Sequence, residues 1–197
     1  MSLVCSSSHI KFVNQQSNHC WIVVSGWGIL AEYVVNVQQQ SNMLYISHYN
    51  PNELIQIVQQ AMKKFAIKEY SVLGVSLGGL WVSNHQELFL SAKQLGYLGI
   101  REYYSRQDIL NIKLQLNRDM KTCLAQFYAQ CCLKKTEVSQ LIDNHKNYEF
   151  NKEVLDQGLD YLYQQSFEKK QYHDYVYFFH GGCDRISPLK ELNWLNK

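Results

Sequence analysis

Proline is nearly absent from this chain, with two residues in 197, and no Gly/Ser-rich or single-charge run marks a linker or a disordered tail. Charge of either sign is also sparse. Charged residues make up 18% and the net charge is only +2, too little to argue for nucleic acid or a membrane surface as partner. No apolar run approaches the roughly 20 residues that span a bilayer. The segment Met1-Ser2-Leu3-Val4-Cys5-Ser6-Ser7-Ser8 lacks the basic stretch and long apolar run of a signal peptide, so a cytoplasmic protein is expected. The six cysteines (Cys5, Cys20, Cys123, Cys131, Cys132 and Cys183) form no CxxC pair and no metal-ligand spacing with histidine. Neither a metal nor a cofactor is expected, and the thiols read as small buried hydrophobes. No internal repeat is visible.

What is present is an ordinary globular composition, 46% hydrophobic, at a length suited to one domain or a core with an insertion. His9–Val13 reads as a short strand and Cys20–Ser25 as a stronger one, apolar on both faces as in the middle of a parallel sheet. Met43–Tyr49 gives another strand. Asn50-Pro51-Asn52-Glu53 then opens a helix, with Leu54, Ile57, Val58, Ala61, Met62 and Phe65 at helical spacing. Tyr70–Val75 is the next strand, a helix runs from Leu77 to about Lys93, and Leu95–Ile100 is strand-like again. This alternation implies a mostly parallel sheet flanked by helices, with right-handed crossovers.

The rhythm changes after residue 104. One long helix is expected from near Gln107 to Cys132, followed by helices capped at Thr136 and Asn151, with Glu137 and Glu153 in their first turns. The strand pattern returns at Tyr175–Phe179. A core of residues 1–104 and 171–197, interrupted by a helical cap over 105–170, fits this order.

Gly74-Val75-Ser76-Leu77-Gly78-Gly79 matches G-x-S-x-G, the nucleophile elbow. A serine nucleophile has to stand on a turn so tight that strand and helix nearly touch, which is why small residues flank it at both sides. The apolar strand entering and the helix leaving are the context the motif requires. An oxyanion would then meet the backbone N–H of Leu77 and, from the loop after the earlier central strand, that of Trp27 in Gly26-Trp27-Gly28. Asp184, in His180-Gly181-Gly182-Cys183-Asp184, follows a late strand and fits the chain order Ser…Asp…His; its carboxylate would orient an imidazole.

On these residues the chain resembles the α/β-hydrolase superfamily. Within it, the chain is similar to the pimeloyl-acyl-carrier-protein methyl ester carboxylesterases of biotin synthesis. The resemblance rests on Ser25-Gly26-Trp27-Gly28, on Gly74 through Leu80, on Leu116…Leu124…Phe127-Tyr128, and on Leu155…Gly158-Leu159…Leu162 leading to Gly181…Asp184. It implies an α/β-hydrolase fold and acyl-serine cleavage of a methyl ester on a carrier-bound acyl chain. It also implies that the basic cap residues Arg118, Lys121, Lys134 and Lys135 meet acyl carrier protein. Other carboxylesterases or thioesterases of the superfamily, and a non-catalytic acyl- or carrier-binding homologue, are the alternatives.

Two departures stand out. Ser47-His48-Tyr49-Asn50-Pro51 replaces the Gly-rich loop usual after the third strand, and no histidine lies in residues 185–197. The chain is therefore expected to stop before its last strand, histidine loop and final helix, leaving Tyr175–Phe179 a bare sheet edge. Among the histidines present, His180 would be examined first and His145 second; His173 flanks a cap segment, and His48 and His85 lie off the expected order.

Overall fold

The computed structural model describes residues 8–35, 41–131, 134–167, 175–182 and 184–187. Six strands form one sheet: β1 (His9–Val13), β2 (His19–Val24), β3 (Asn42–Ser47), β4 (Glu69–Val75), β5 (Leu95–Leu98) and β6 (Val176–Phe179). Their spatial order is β1-β3-β2-β4-β5-β6, with β1 antiparallel to β3 and every other pairing parallel. The apolar run in β2 explains its central place. Ile22 and Val24 point into one buried cluster and Val23 into another, so both faces of the strand are covered.

From β2 the chain steps to β3 on one side, then crosses back to β4 on the other. The sheet therefore has a topological switch point between β2 and β4, where open α/β sheets form a crevice beyond their carboxyl ends. Register places those ends together, since Val24 pairs with Gly74 and Val75 with Leu98, which pairs with Phe179.

The helices are α1 (Ala31–Val34), α2 (Leu54–Lys64), α3 (Leu77–Asn84), α4 (Arg106–Arg118), α5 (Met120–Cys131), α6 (Lys135–His145) and α7 (Lys152–Gln164). The last four lie in sequence between β5 and β6. Trp81 of α3 is fully buried and its indole N–H donates to Pro51 O (3.0 Å), tying α3 to the turn before α2. Lys113 reaches Asp156 and Asp160 at 3.3 and 2.6 Å, joining α4 to α7.

Three helices differ from the sequence reading, and β3 and β5 each end two residues earlier than expected. The long helix over 107–132 is two helices, because Asp119 is extended (φ −158°, ψ 101°) and its carboxylate caps α5, accepting from Lys121 N, Thr122 N and Thr122 Oγ1. The helix after Ser76 ends at Asn84 and gives way to a 3₁₀ turn at Gln86–Phe89, well before Lys93. Helix α6 starts one residue ahead of Thr136; the Glu137 carboxylate accepts from the Lys134 N–H (3.2 Å), closing the helix end instead. The cap at Asn151 is as expected, its side chain accepting from Glu153 N and Val154 N. Cys20 and Cys123 are buried as expected, but Cys131 is exposed at the end of α5, where the helix runs into the open cleft described below; Cys5, Cys132 and Cys183 lie outside the described residues.

Candidate active site

Ser76 stands between β4 and α3 with φ +49° and ψ −113°, a left-handed conformation that costs a non-glycine residue roughly 1–3 kcal/mol. Its neighbours force the turn. Ser76 N donates to Leu98 O (2.8 Å) on the strand side and Ser76 O accepts from Leu80 N (2.9 Å) on the helix side. A Cβ on Gly74 would lie 2.6 Å from Gly79 Cα, and one on Gly78 would lie 2.3 Å from Val24 O. Strand, helix and the end of β2 are in contact there, which is the packing the G-x-S-x-G spacing anticipates.

The loop after β2 closes on the serine. A Cβ on Gly26 would lie 3.3 Å from Ser76 Cβ. Trp27 is buried, its indole N–H donating to Leu155 O (2.8 Å) and its ring edge-on to Phe127 at 5.0 Å. Gly28 takes φ +66° and its carbonyl accepts from Tyr128 Oη (2.7 Å). Gly158 of α7 lies flat against both Trp27 and Leu77, since a Cβ there would be 3.0 and 3.3 Å from their side chains. Leu77 is the first residue of α3, so its N–H has no acceptor within the helix. Among the described residues the Trp27 amide donates to none either.

Asp184 sits beyond β6. Its Oδ1 accepts from Ile186 N (2.9 Å) and Ser187 N (2.8 Å), while Ser187 Oγ donates to Ile100 O (3.0 Å) and ties the loop to the end of β5. Its Oδ2 faces Gly99, where φ is +62° and a Cβ would lie 3.4 Å away. Ser76, Trp27 and Asp184 all line one cleft of about 810 Å³. Its walls also include Ile29, Val34, Leu98, Phe127, Leu141 and Ile186, with Glu137, Gln140 and Asn144 from α6.

Among the described residues no histidine is hydrogen-bonded to Ser76 or Asp184. His180 follows β6, and among the described residues neither of its buried ring nitrogens has a hydrogen-bond partner. His145 is committed on both nitrogens: Nδ1–H donates to Leu141 O (2.7 Å) and Nε2 accepts from Leu30 N (3.0 Å). Burial keeps it neutral, lowering its pKa. His48 adopts φ +47° after β3; Nε2 accepts from Asn151 N (2.7 Å), and burial lowers its pKa to about 4. His85 Nδ1 is 2.9 Å from Trp81 O, and His173 lies outside the described residues.

What touches Ser76 Oγ is a residue the sequence reading passed over. Tyr104 Oη lies 3.2 Å from it, and the Arg101 guanidinium stands 5.6 Å from the Tyr104 ring. Burial raises the phenol's pKa, and the negative charge of Asp184 pushes the same way against the Ser76 bond and Arg101. A signal existed: the segment leaving β5 must pass the elbow on the neighbouring strand, and its polar aromatics were Tyr103 and Tyr104. Arg118, Lys121, Lys134 and Lys135 are all exposed. Among the described residues no cluster of three or more His, Cys, Asp or Glu is placed to hold a metal, and no helix is long and apolar enough to cross a membrane.

No protein-family model matches the chain, and no curated protein matches it in sequence. Solved structures do. An esterase from Exiguobacterium antarcticum, 11% identical, superimposes with a TM-score of 0.73 over 95% of this chain and 82% of its own. A bromoperoxidase from Bacillus anthracis, 12% identical, gives 0.75 over 93% and 80%. An alpha/beta hydrolase enzyme from a Medee basin deep-sea metagenome library, 10% identical, gives 0.68 over 95% and 81%. The chain has the α/β-hydrolase fold.

Proposed function

We propose that this protein is a serine hydrolase that cleaves a carboxylic ester through an acyl-Ser76 intermediate. The observation that carries this reading is Ser76 itself, held at φ +49° in a glycine-walled elbow with the cleft in front of it. A non-glycine residue is kept in such a conformation only where surrounding structure enforces it, and strain of that kind clusters at reactive sites. In this reading the Leu77 and Trp27 amides receive the oxyanion, and Asp184 supplies the carboxylate of the Ser…Asp order.

The cleft suits an apolar acyl chain, since its walls are largely aliphatic and aromatic and its volume falls in the range of small-molecule sites. The finer reading is a methyl ester of a pimeloyl-type chain on acyl carrier protein. Lys134 and Lys135 stand at the start of the helix whose Glu137, Gln140 and Leu141 line the cleft, and with the exposed Arg118 and Lys121 they are the cationic side chains this reading assigns to an acidic carrier.

A fluorophosphonate probe followed by peptide mapping tests the nucleophile. Labelling is expected at Ser76 and should vanish in Ser76→Ala. Labelling that survives the substitution rules the assignment out.

A further inference from the structure

We propose that Tyr104 is a catalytic residue of this site, its phenol relaying the Ser76 proton to the departing alkoxide. The proposal rests on the nucleophile reading above and deepens it. Tyr104 Oη lies 3.2 Å from Ser76 Oγ, the one side-chain hydrogen bond to Ser76 among the described residues. The contact comes from outside the elbow, on the stretch that leaves β5. The ring packs partly buried against the core, with Arg101 at 5.6 Å.

The electrostatics decide which chemistry this hydroxyl can do. Burial and, more weakly, the charge of Asp184 favour the protonated phenol and outweigh the Ser76 bond and Arg101, which pull the other way. Tyr49, the other buried phenol coupled to it, is also kept neutral by burial, its Oη donating to Ser25 O (2.7 Å). The neutral phenol is therefore the form the relay uses. A neutral hydroxyl can still accept one proton while donating another.

The step balances without any charge on the tyrosine. In acylation, Oγ bonds to the ester carbonyl carbon and its proton passes to Oη. The Oη proton passes to the leaving oxygen as the carbon–oxygen bond breaks, and a neutral alcohol departs. The atoms in motion close a six-membered ring of carbon, Oγ, hydrogen, Oη, hydrogen and leaving oxygen. In deacylation the same ring runs with water: its oxygen adds to the acyl carbon, its proton goes to Oη, and the Oη proton returns to Ser76 Oγ as the acyl bond breaks.

The leaving group separates this role from a structural one. An alkoxide needs a proton to depart, whereas p-nitrophenolate leaves without one. With the same acyl chain, Tyr104→Phe should lower kcat/KM on an alkyl ester by roughly 100-fold or more, and on the p-nitrophenyl ester by less than about tenfold. Equal losses on the two esters, or none, overturn the relay. A second measurement needs no variant. In H₂O/D₂O mixtures the wild-type rate on the alkyl ester should bow away from a straight line, as two protons in flight require; a straight line overturns the relay even where Tyr104→Phe does not fold. Failure of the underlying reading looks different, because then the fluorophosphonate probe does not label Ser76. Labelling of Ser76 without turnover of either ester leaves the nucleophile standing and removes the relay.

Discussion

The two sides of the cleft are built to different standards. On the β2–β4 side, the loop Gly26-Trp27-Gly28 and the elbow are fixed from several directions. Leu155 O holds the Trp27 indole, Tyr128 holds the Gly28 carbonyl, His145 receives the Leu30 amide, and Gly158 lets α7 lie flat on Trp27 and Leu77. On the β5–β6 side, Asp184 is positioned mainly by its own loop and one hydroxyl tether to Ile100. There β6 is the edge of the described sheet, and Tyr177 and Phe179 are 44% and 53% exposed. The side that would stabilise developing charge is rigid, as preorganised donors must be. Among the described residues, the side that would orient a base has little packed over it.

Glycine substitutions should break this contrast most sharply. A methyl group on Gly78 would stand 2.3 Å from Val24 O and 2.6 Å from Ser25 O, both backbone atoms that cannot swing aside. Gly78→Ala is expected to cost about 3 kcal/mol or more, at the upper end of overpacking effects. Among the described residues Gly182, on the acid side, has nothing within 4 Å of its would-be Cβ, so Gly182→Ala should change stability by no more than about 0.5 kcal/mol. Urea unfolding of the two variants checks this; similar midpoints would mean that the sides do not differ in rigidity.

The same contrast explains what the sequence disclosed. The elbow was legible because its glycines are forced by contact with backbone, so the spacing itself carries the geometry. The sheet was legible because β2 and β3 are apolar on both faces. The break at Asp119 was hidden, because Leu116, Met120 and Leu124 keep helical spacing across it and the periodicity runs on undisturbed. Tyr104 was harder to see for another reason: its bond is to a residue 28 positions away, and only the path of the segment leaving β5 past the elbow, not a local motif, points to it. His145 is similar, its two partners being Leu141 on its own helix and Leu30 across the molecule.

Acid should loosen the clamped side at the N-terminus of α7. His48 Nε2 accepts from Asn151 N, the cap of that helix, so the ring's proton sits on Nδ1. Protonating Nε2 would turn the acceptor into a second donor facing an N–H. Burial, helped by His9, depresses the folded pKa to about 4, below the unfolded value of 6.5. The unfolded chain thus takes up a proton that the folded one refuses. The stability contributed is present above pH 6.5 and is lost as pH falls toward 4, on the order of 3 kcal/mol in all. His145, also depressed by burial, adds in the same direction. Melting temperature followed from pH 7 to pH 4 should fall less steeply in His48→Asn, a residue that tolerates the left-handed backbone at this position. Parallel curves for the variant and the wild type would remove His48 from the account.

The smallest effect is expected at the exposed edge, and its smallness is what makes it informative. Tyr177 pairs in register with Gly96 on β5, yet its side chain points outward and remains 44% exposed. Phe178, the next residue, points inward, with its ring against Tyr97 at 5.3 Å and Phe167 at 6.2 Å. Strand alternation therefore splits the two aromatics between solvent and core. Replacing Tyr177 with threonine exchanges one residue suited to a strand for another, β-branched one and leaves the inward packing untouched. Tyr177→Thr should shift the unfolding free energy by less than about 0.5 kcal/mol, as surface changes do. Its effect should show instead in association, because an edge strand presenting aromatic surface is a template for pairing with another chain. Sedimentation at increasing concentration should find the variant less self-associated than the wild type. A loss of stability well above that bound, with no change in association, would mean that β6 is covered and its outer face is part of the core.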